Sequence, residues 1–186
     1  MHELSDEELM ELIKENDPRA PFEELMGRHE KRLVNYLHRT MGDFELAENL
    51  VQETFLRIFN KRHEYEPTAR FKTYLYKIAT NLAIDEFRKR DRHREDLKED
   101  FNDQSDLTKN PHEIMMSSEK ERVVRESLMK LDEKHRTVVV MKWYEGLKYE
   151  QIAKILGISV GTVKSRIFYA LKQLEVDLKP LLNNGD

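Results

Sequence analysis

The chain has 186 residues, enough for one domain or two small ones, and its formal net charge at pH 7 is −4. It has no cysteine, which excludes a disulfide framework and a thiolate metal site, and its seven histidines are scattered. No apolar run approaches the length of a membrane span and the acidic start does not resemble a signal peptide, so we expect a cytoplasmic protein without direct membrane insertion. There is no glycine-rich phosphate loop, pair of catalytic carboxylates or nucleophile constellation, so we expect no enzyme activity, catalytic residue, metal or cofactor.

The charges are distributed unevenly along the chain. Residues 1–17 carry seven acids and one lysine, and residues 95–119 carry eight acids and two lysines, so each segment has a charge of −6. The remainder therefore carries +8. An excess of basic residues outside two acidic segments is the electrostatic pattern expected of a nucleic-acid-binding protein.

The first module, residues 1–93, contains four segments with helical periodicity. Ser5 caps the first, Pro21 opens the second, Asp43 precedes the third, and the fourth runs from about Phe71 to Arg92. The apolar positions expected to form its core are Leu9, Leu12, Ile13, Phe22, Leu25, Met26, Leu33, Val34, Leu37, Leu46, Leu50, Phe55, Leu56, Phe59, Leu75, Ile78, Ala79, Leu82, Ile84 and Phe87.

Aromatic and basic side chains alternate at the start of the fourth helix. Residues 70–77 read Arg-Phe-Lys-Thr-Tyr-Leu-Tyr-Lys, Tyr65 precedes them, and the helix ends in a basic run over residues 88–94. Rings can stack on unpaired bases while neighbouring cations hold the phosphates, so the pattern suits single-stranded nucleic acid. The same rings at helical spacing are equally compatible with simple core packing.

Residues 94–117 are predicted to form a flexible acidic linker. Their apolar residues are sparse, no period is sustained and a proline comes near the end, so the segment cannot bury enough surface to order itself. The linker separates the first module, residues 1–93, from a second module, residues 118–186. Because every periodic segment is helical, we predict an all-α fold with two small helical domains.

Two helical segments joined by a tight turn lie near the end of the chain. Gly157 stands where a left-handed cap would end the first, and Ser159 is a good N-cap for the second. Their apolar stripes are Tyr149, Ile152, Ala153 and Leu156 in the first and Val160, Val163, Ile167, Ala170 and Leu174 in the second. This pattern predicts a helix-turn-helix whose second helix lies in a DNA major groove, the alternative being an ordinary helical hairpin.

The outward face of the second helix follows from counting 100° per residue away from its stripe. It carries Gly161, Thr162, Ser165, Phe168, Tyr169 and Lys172, with Lys164 and Arg166 on the flanks. Small and polar side chains suit base edges, and basic side chains suit phosphates.

Several segments resemble, in order, parts of bacterial sigma factors. DFELAENLVQETFLR (residues 43–57) is similar to their polymerase-binding segment, and FKTYLYKIATNLAID (71–85) to their promoter-melting segment. LDEKHRTVVV (131–140) and YEGLKYEQIA (144–153) are similar to the start of their C-terminal domain. Two domains and an acidic linker, without further regions, resemble the extracytoplasmic-function class.

The resemblance implies a transcription initiation factor that binds core RNA polymerase, recognises the minus-ten and minus-thirty-five promoter elements and promotes DNA melting. It implies core polymerase-binding residues Glu48, Asn49, Gln52, Glu53 and Phe55. The implied minus-ten DNA-binding residues are Tyr65, Lys72, Thr73, Tyr74, Asn81, Arg88, Lys89 and Arg92. The implied minus-thirty-five DNA-binding residues are Arg136, Gly161, Thr162, Lys164, Ser165, Arg166, Phe168 and Tyr169.

The implied partners are promoter DNA, the clamp coiled coil and flap of core RNA polymerase, and an anti-sigma factor. The free chain would be a monomer, and in the holoenzyme it would be associated with the nucleoid. One rival interpretation is a repressor or activator in which residues 1–93 sense a signal or dimerise. It accounts for the helix-turn-helix but not for the other motifs, and a protein-binding helical scaffold leaves the basic faces unexplained.

Overall fold

The computed structural model describes residues 3–15, 18–67, 70–96 and 119–183, and the regular elements in these ranges are helical. This confirms the predicted all-α fold. The chain divides into two compact units, residues 1–37 with 45–106 and residues 38–44 with 107–186. The predicted acidic linker lies outside the described residues except for residues 94–96, where the last helix of the first module continues.

The first module has the predicted order of helices. They are α1 (Asp6–Ile13), α2 (Arg19–Met41), α3 (Phe44–Asn60), a short 3-10 turn (Arg62–Glu64) and α4 (Phe71–Asp96). Helix α2 begins two residues before Pro21, which lies in its first turn as its missing amide hydrogen allows.

Helix α1 begins with a reciprocal cap. The Glu8 amide donates to Ser5 Oγ at 3.2 Å, and the Ser5 amide donates to the Glu8 carboxylate at 2.7 Å. The bond from the Ser5 amide, followed by that from its hydroxyl, lowers the pKa of Glu8. The inner side of α1 buries Leu9 and Ile13, as predicted, together with Met10.

Aromatic pairs join α2 to both α3 and α4. The Tyr36 and Tyr76 ring centroids are 5.0 Å apart, and the Tyr36 hydroxyl is 2.9 Å from the Thr80 hydroxyl. Phe22 packs on α3, with its ring centroid 6.2 Å from Phe55 and 5.1 Å from Phe59. Because buried hydroxyls are costly unless they are hydrogen-bonded, the Tyr36–Thr80 pair fixes the register of α4 against α2.

The second module consists of α5 (Glu119–Lys130), α6 (Glu133–Val139), a π-helical turn (Val140–Tyr144), α7 (Tyr149–Leu156) and α8 (Val160–Asn183). Helix α8 packs against α5, α6 and α7. The predicted stripe of α8 is confirmed at Val163, Ile167, Ala170 and Leu174, all of which are buried. In α7, Ile155 is buried and Leu156 is only partly buried, so the prediction was wrong by one residue there.

The π-helical turn changes the direction of side chains within the second module. The Glu145 amide donates to the Val140 carbonyl, five residues earlier, at 3.2 Å. Val140 and Met141 are buried, whereas Trp143 and Tyr144 are exposed. Two residues after the turn, Gly146 has a φ of 65°, a left-handed conformation that glycine adopts without steric cost.

Candidate polymerase and nucleic-acid interfaces

Helix α3 presents a polar outer face with one large apolar side chain. Glu48, Asn49 and Gln52 are exposed, and Glu53 is partly exposed. The Glu53 carboxylate lies 2.7 Å from Arg57 Nε, an exposed ion pair that contributes little to stability. Four of the five predicted polymerase-binding residues therefore lie at or near one accessible surface.

The fifth of those residues, Phe55, is placed differently. Its side chain is 2% exposed and packs against Phe22, whereas the neighbouring Leu56, predicted to point inward, is 54% exposed. Thr54 explains the error, because it occupies a buried position by donating its hydroxyl to the Leu50 carbonyl at 2.7 Å. Because Thr54 is polar, the sequence pattern did not indicate that its position faces the core, and Leu56 was assigned to the core instead. Leu56 is thus the accessible apolar side chain that the sequence interpretation missed.

A cluster of three rings, Tyr65, Phe71 and Tyr74, lies where the chain enters α4. The Tyr74 centroid is 5.1 Å from Tyr65 and 6.4 Å from Phe71, and the Tyr65–Phe71 distance is 6.3 Å. Phe71 is fully buried, Tyr65 is 4% exposed and Tyr74 is partly exposed. Only Tyr74 offers substantial ring surface to a base, so Tyr65 supports this ring and is too buried to act as the predicted base contact.

The burial of Tyr65 also affects its hydroxyl. That oxygen has no hydrogen-bond partner among the described residues. Burial, together with the nearby carboxylates of Glu7 and Glu11, raises its pKa to about 12. Burial and Glu64 raise the pKa of Tyr74 as well. Both phenols are therefore harder to ionise than a solvent-exposed tyrosine.

The remaining predicted minus-ten residues are mostly accessible. Asn81 is exposed on α4, and Lys72 is partly exposed, with its ammonium 5.4 Å from the Tyr76 ring centroid. Thr73, in contrast, is buried. It therefore contributes to packing in the first turn of α4 and does not present the accessible hydroxyl expected from the sequence.

The basic end of α4 is exposed. Arg88 lies 3.5 Å from Asp85, and Lys89 lies 3.3 Å from Glu86. The Arg92 Nε donates to the Arg88 carbonyl at 3.3 Å. Exposed ion pairs at these distances are weak, so the cations can exchange a carboxylate for a phosphate at little cost.

The predicted helix-turn-helix is present in the second module. Gly157 has φ 65° and ψ 33°, the left-handed conformation that ends α7. Ser159 caps α8, with the Thr162 amide donating to Ser159 Oγ at 3.0 Å. The cap and the turn set the angle at which α8 leaves α7, and thus which face of α8 remains outside.

The outer face of α8 carries the predicted side chains. Gly161, Lys164 and Ser165 are exposed, while Thr162 and Arg166 are partly exposed. Two rings stand out from the surface at 63% exposure for Phe168 and 60% for Tyr169, with centroids 5.5 Å apart. The Ser165 hydroxyl donates to the Thr162 carbonyl at 3.0 Å, which leaves its oxygen able to accept.

Arg136 does not have the exposure expected of a phosphate contact. It is 7% exposed, and its Nη1 donates to the carbonyls of Met129 at 3.0 Å and Leu131 at 3.2 Å. These carbonyls lie at the C-terminal end of α5, where helices leave acceptors unsatisfied. Arg136 therefore stabilises the junction of α5 and α6, because its guanidinium satisfies those acceptors.

Comparison with known proteins identifies the chain. Residues 25–93 match the family model for Sigma-70 region 2, and residues 121–174 match that for Sigma-70 region 4. The chain is 31% identical over 188 residues to the ECF RNA polymerase sigma-E factor of Haemophilus influenzae, covering 97% of this chain and 98% of that relative. The chain belongs to the ECF class of RNA polymerase sigma factors. It is also 31% identical to the RNA polymerase sigma-H factor of Pseudomonas aeruginosa, over 97% of each.

Two solved structures have the same fold as this chain. The sigma factor RpoE from Bartonella quintana, in complex with the anti-sigma factor NepR, superposes with a TM-score of 0.71 at 25% identity, covering 85% of this chain and 96% of that one. CnrH, in complex with the cytosolic domain of CnrY, superposes with a TM-score of 0.68 at 24% identity, covering 97% and 99%.

Membership of the ECF class establishes the general activity. The chain is a transcription initiation factor that directs RNA polymerase to promoters, and it is not an enzyme. Neither the repressor nor the scaffold interpretation accounts for a match to both sigma regions. In the described ranges there is no cluster of three or more potential metal ligands, and no helix long and apolar enough to cross a membrane.

Proposed function

We propose that the two modules of this ECF sigma factor act in sequence at a promoter. The first binds core polymerase and captures bases of the non-template strand in the minus-ten element, and the second reads the minus-thirty-five element as duplex. The predicted linker lets one chain reach both elements. Base capture offsets the cost of unpairing, a few kcal/mol for each base taken from the stack.

The polymerase interface is the outer face of α3. Glu48, Asn49, Gln52 and Glu53 supply polar anchors for the clamp coiled coil. The apolar contact comes from Leu56, which is 54% exposed, in place of the buried Phe55. An exposed apolar side chain surrounded by polar ones has the composition of an interface centre with a polar rim.

The minus-ten interface is the outer side of α4. Tyr74 stacks on an unpaired base and Asn81 supplies an amide for base edges, since both side chains are accessible. Lys72, Arg88, Lys89 and Arg92 hold the phosphates. Tyr65 and Thr73 support this surface from beneath, in agreement with their burial.

The minus-thirty-five interface is the outer face of α8. Gly161 and Thr162, near the helix start, permit a close approach to the groove, and Ser165, Phe168 and Tyr169 read base edges. Lys164 and Arg166 contact the backbone. Arg136 acts indirectly by fixing α5 and α6, on which α8 packs.

The flap of core polymerase is the partner proposed for the second module, and an anti-sigma factor is proposed for the free protein. Support for the latter comes from a structural relative of the same fold, the sigma factor RpoE, which was solved in complex with the anti-sigma factor NepR. An inhibitor of this kind would cover the faces that bind polymerase and DNA. The free chain would then be a cytoplasmic monomer that joins the nucleoid only within the holoenzyme.

The partly exposed Tyr74 ring, set among buried rings on a helix with a basic end, is the observation that carries the proposal. Stacking on an unpaired base is worth about 1–3 kcal/mol, so Tyr74→Ala should reduce open-complex formation roughly tenfold or more. Permanganate footprinting of unpaired thymines measures this in the holoenzyme. Duplex promoter binding should be retained, and a pre-opened bubble template should restore transcription.

Tyr74→Phe is the matched control, since it keeps the ring and should melt the promoter nearly as well as the unmodified protein. If Tyr74→Ala melts duplex promoter normally, the ring serves packing alone and the proposed role of α4 is wrong.

A further inference from the structure

Helix α1 lies outside the residues matched by the sigma region 2 model, which begin at residue 25. It is nevertheless firmly attached to the first unit, because Leu9, Met10 and Ile13 are completely buried. The polar residues of α1 make the contacts that connect this helix to α2 and α4.

Asp6 ties α1 to α2. Its two carboxylate oxygens lie 3.1 Å from Arg28 Nη1 and 2.7 Å from His29 Nε2. The Arg28 Nη1 also donates to the Leu4 carbonyl at 2.7 Å. The His29 ring in turn packs against Phe71, with centroids 5.5 Å apart. The start of α1 is thereby held at a fixed place beside the three-ring cluster of Tyr65, Phe71 and Tyr74.

Glu7 connects α1 directly to the start of α4. Its Oε1 accepts a hydrogen bond from the Phe71 amide at 2.7 Å, across 64 residues of sequence. Phe71 is the first residue of α4, and its amide is one of the donors that a helix cannot satisfy within itself. A negatively charged carboxylate at the N-terminal end of α4 also interacts favourably with the positive end of the helix dipole.

Lys14, just after α1, contacts another ring of the cluster, that of Tyr65. Its ammonium is 5.5 Å from the centroid of the Tyr65 ring, and its Nζ pairs with Glu11 at 2.7 Å. Glu7 and Lys14 therefore contact the residues on either side of the segment 66–70, which leads into α4. Tyr74 lies one turn into that helix and packs on both Tyr65 and Phe71.

We propose that α1 orients the base-capturing surface of α4, with Glu7 as the positioning residue. Through its bond to the Phe71 amide, Glu7 fixes the first turn of α4 and thus the direction in which Tyr74 presents its ring. This inference rests on the proposed role of Tyr74 in melting.

The test compares three substitutions of Glu7 in the full-length protein bound to core polymerase. Glu7→Gln keeps an acceptor oxygen at the same reach, Glu7→Asp keeps the charge but is one methylene too short, and Glu7→Ala keeps neither. Asp is well tolerated in the first turn of a helix, so α1 should stay folded in that variant. Glu15→Ala, which removes a charge beyond the end of α1, is the matched control.

We expect Glu7→Ala and Glu7→Asp to lower open-complex formation on duplex promoter roughly tenfold, as for loss of a hydrogen bond to a charged group. Glu7→Gln should stay within about threefold of the unmodified protein, and Glu15→Ala should be unchanged, since neither loses the contact. Polymerase affinity and transcription from a bubble template should be unaffected in all four. Normal melting by Glu7→Asp together with a loss in Glu7→Gln would show that charge matters rather than position, and would overturn the inference.

A double substitution separates positioning from general stabilisation. If Glu7 acts through Tyr74, Glu7→Ala should have no further effect on melting in a Tyr74→Ala background. Losses that multiply would overturn the inference. Normal melting by Tyr74→Ala alone would refute the proposed function itself, whereas a defect in Tyr74→Ala with normal melting in Glu7→Ala would refute only the role of Glu7.

Discussion

Tyr74 in the first unit and Phe168 in the second are both aromatic side chains on long helices, yet their surroundings differ. Tyr74 is partly buried against Tyr65 and Phe71. Phe168 contacts one other ring, Tyr169, and these two side chains are 63% and 60% exposed. An unpaired base is mobile, so a ring that captures it must itself be held in place by the protein. Reading a duplex requires side chains that project into a groove whose shape is set by the DNA.

The comparison implies different structural roles for the two sets of rings. Phe71→Ala removes a completely buried ring and should lower the free energy of unfolding of the first unit by about 3–5 kcal/mol. Phe168→Ala should change the free energy of unfolding of the second unit by no more than about 0.5 kcal/mol, as surface substitutions usually do. Urea unfolding of the full chain, followed by far-UV circular dichroism, measures both. Equal losses would mean that the Phe168 ring is part of the second unit's core.

Duplex binding tests whether the exposed Phe168 ring of the second unit reads bases. Phe168→Ala should reduce affinity for a preferred minus-thirty-five duplex about tenfold and affinity for a scrambled duplex little, since a lost base contact typically costs 1–3 kcal/mol. Lys164→Ala should weaken both duplexes evenly and reduce the salt dependence of binding by about one unit of slope. Fluorescence anisotropy at several salt concentrations measures both effects. Equal losses on both duplexes for Phe168→Ala would exclude a base-reading role.

The contrast between buried and projecting apolar groups extends to α3. Leu56→Ala should lower affinity for core polymerase roughly fivefold, because truncating an important interface residue costs more than about 1 kcal/mol. Phe55→Leu, its buried neighbour, is the control and should reduce stability without changing affinity. Gln52→Ala combined with Glu53→Ala should also weaken binding while helical content stays intact. A quantitative pull-down with core polymerase measures the affinities. Normal binding by both Leu56→Ala and the Gln52/Glu53 double variant would reject the interface.

The smallest effect concerns the hydroxyl beneath Tyr74. Burial raises the pKa of Tyr65 to about 12 in the folded protein, above its ordinary value of 10. The phenol thus contributes stability that is fully present below pH 10 and is lost as the pH rises towards 12. Tyr65→Phe should not show this loss of stability at alkaline pH, and it should melt promoters normally at pH 7. Thermal unfolding from pH 8 to 11.5 measures the difference, and identical profiles would contradict it.

Local signals predicted much of the second module. The Gly157 cap, the Ser159 N-cap and the stripe of α8 depend on residues within a few positions of each other, so the sequence contains the information. The exposed positions of Phe168 and Tyr169 followed from that stripe by helical geometry.

The errors arise where burial depends on a partner distant in sequence or on a polar side chain that is buried by hydrogen bonding to backbone carbonyls. Tyr74 and Tyr76 are two residues apart, and the contact of Tyr76 with Tyr36 on α2 decides which of them is fully buried. Phe55 is buried, as its place in the predicted core required, but Leu56 was wrongly predicted to point inward because a hydrogen-bonded Thr54 lies on the inner face. Arg136 was expected to be exposed, but it is buried because its Nη1 donates to the Met129 and Leu131 carbonyls, which become available only where α5 ends.

The π-helical turn at Val140–Tyr144 constrains insertions and deletions in this lineage. A π turn accommodates one residue more than an α-helical turn, so the chain here already contains what amounts to a one-residue insertion. Deleting that residue would restore α-helical geometry and rotate the following side chains by about 100°, turning Trp143 and Tyr144 away from their present exposed positions. The segment up to the buried Leu147 is short, so it offers little chain to absorb the change. The number of residues between α6 and the helix-turn-helix should therefore vary less than their identities.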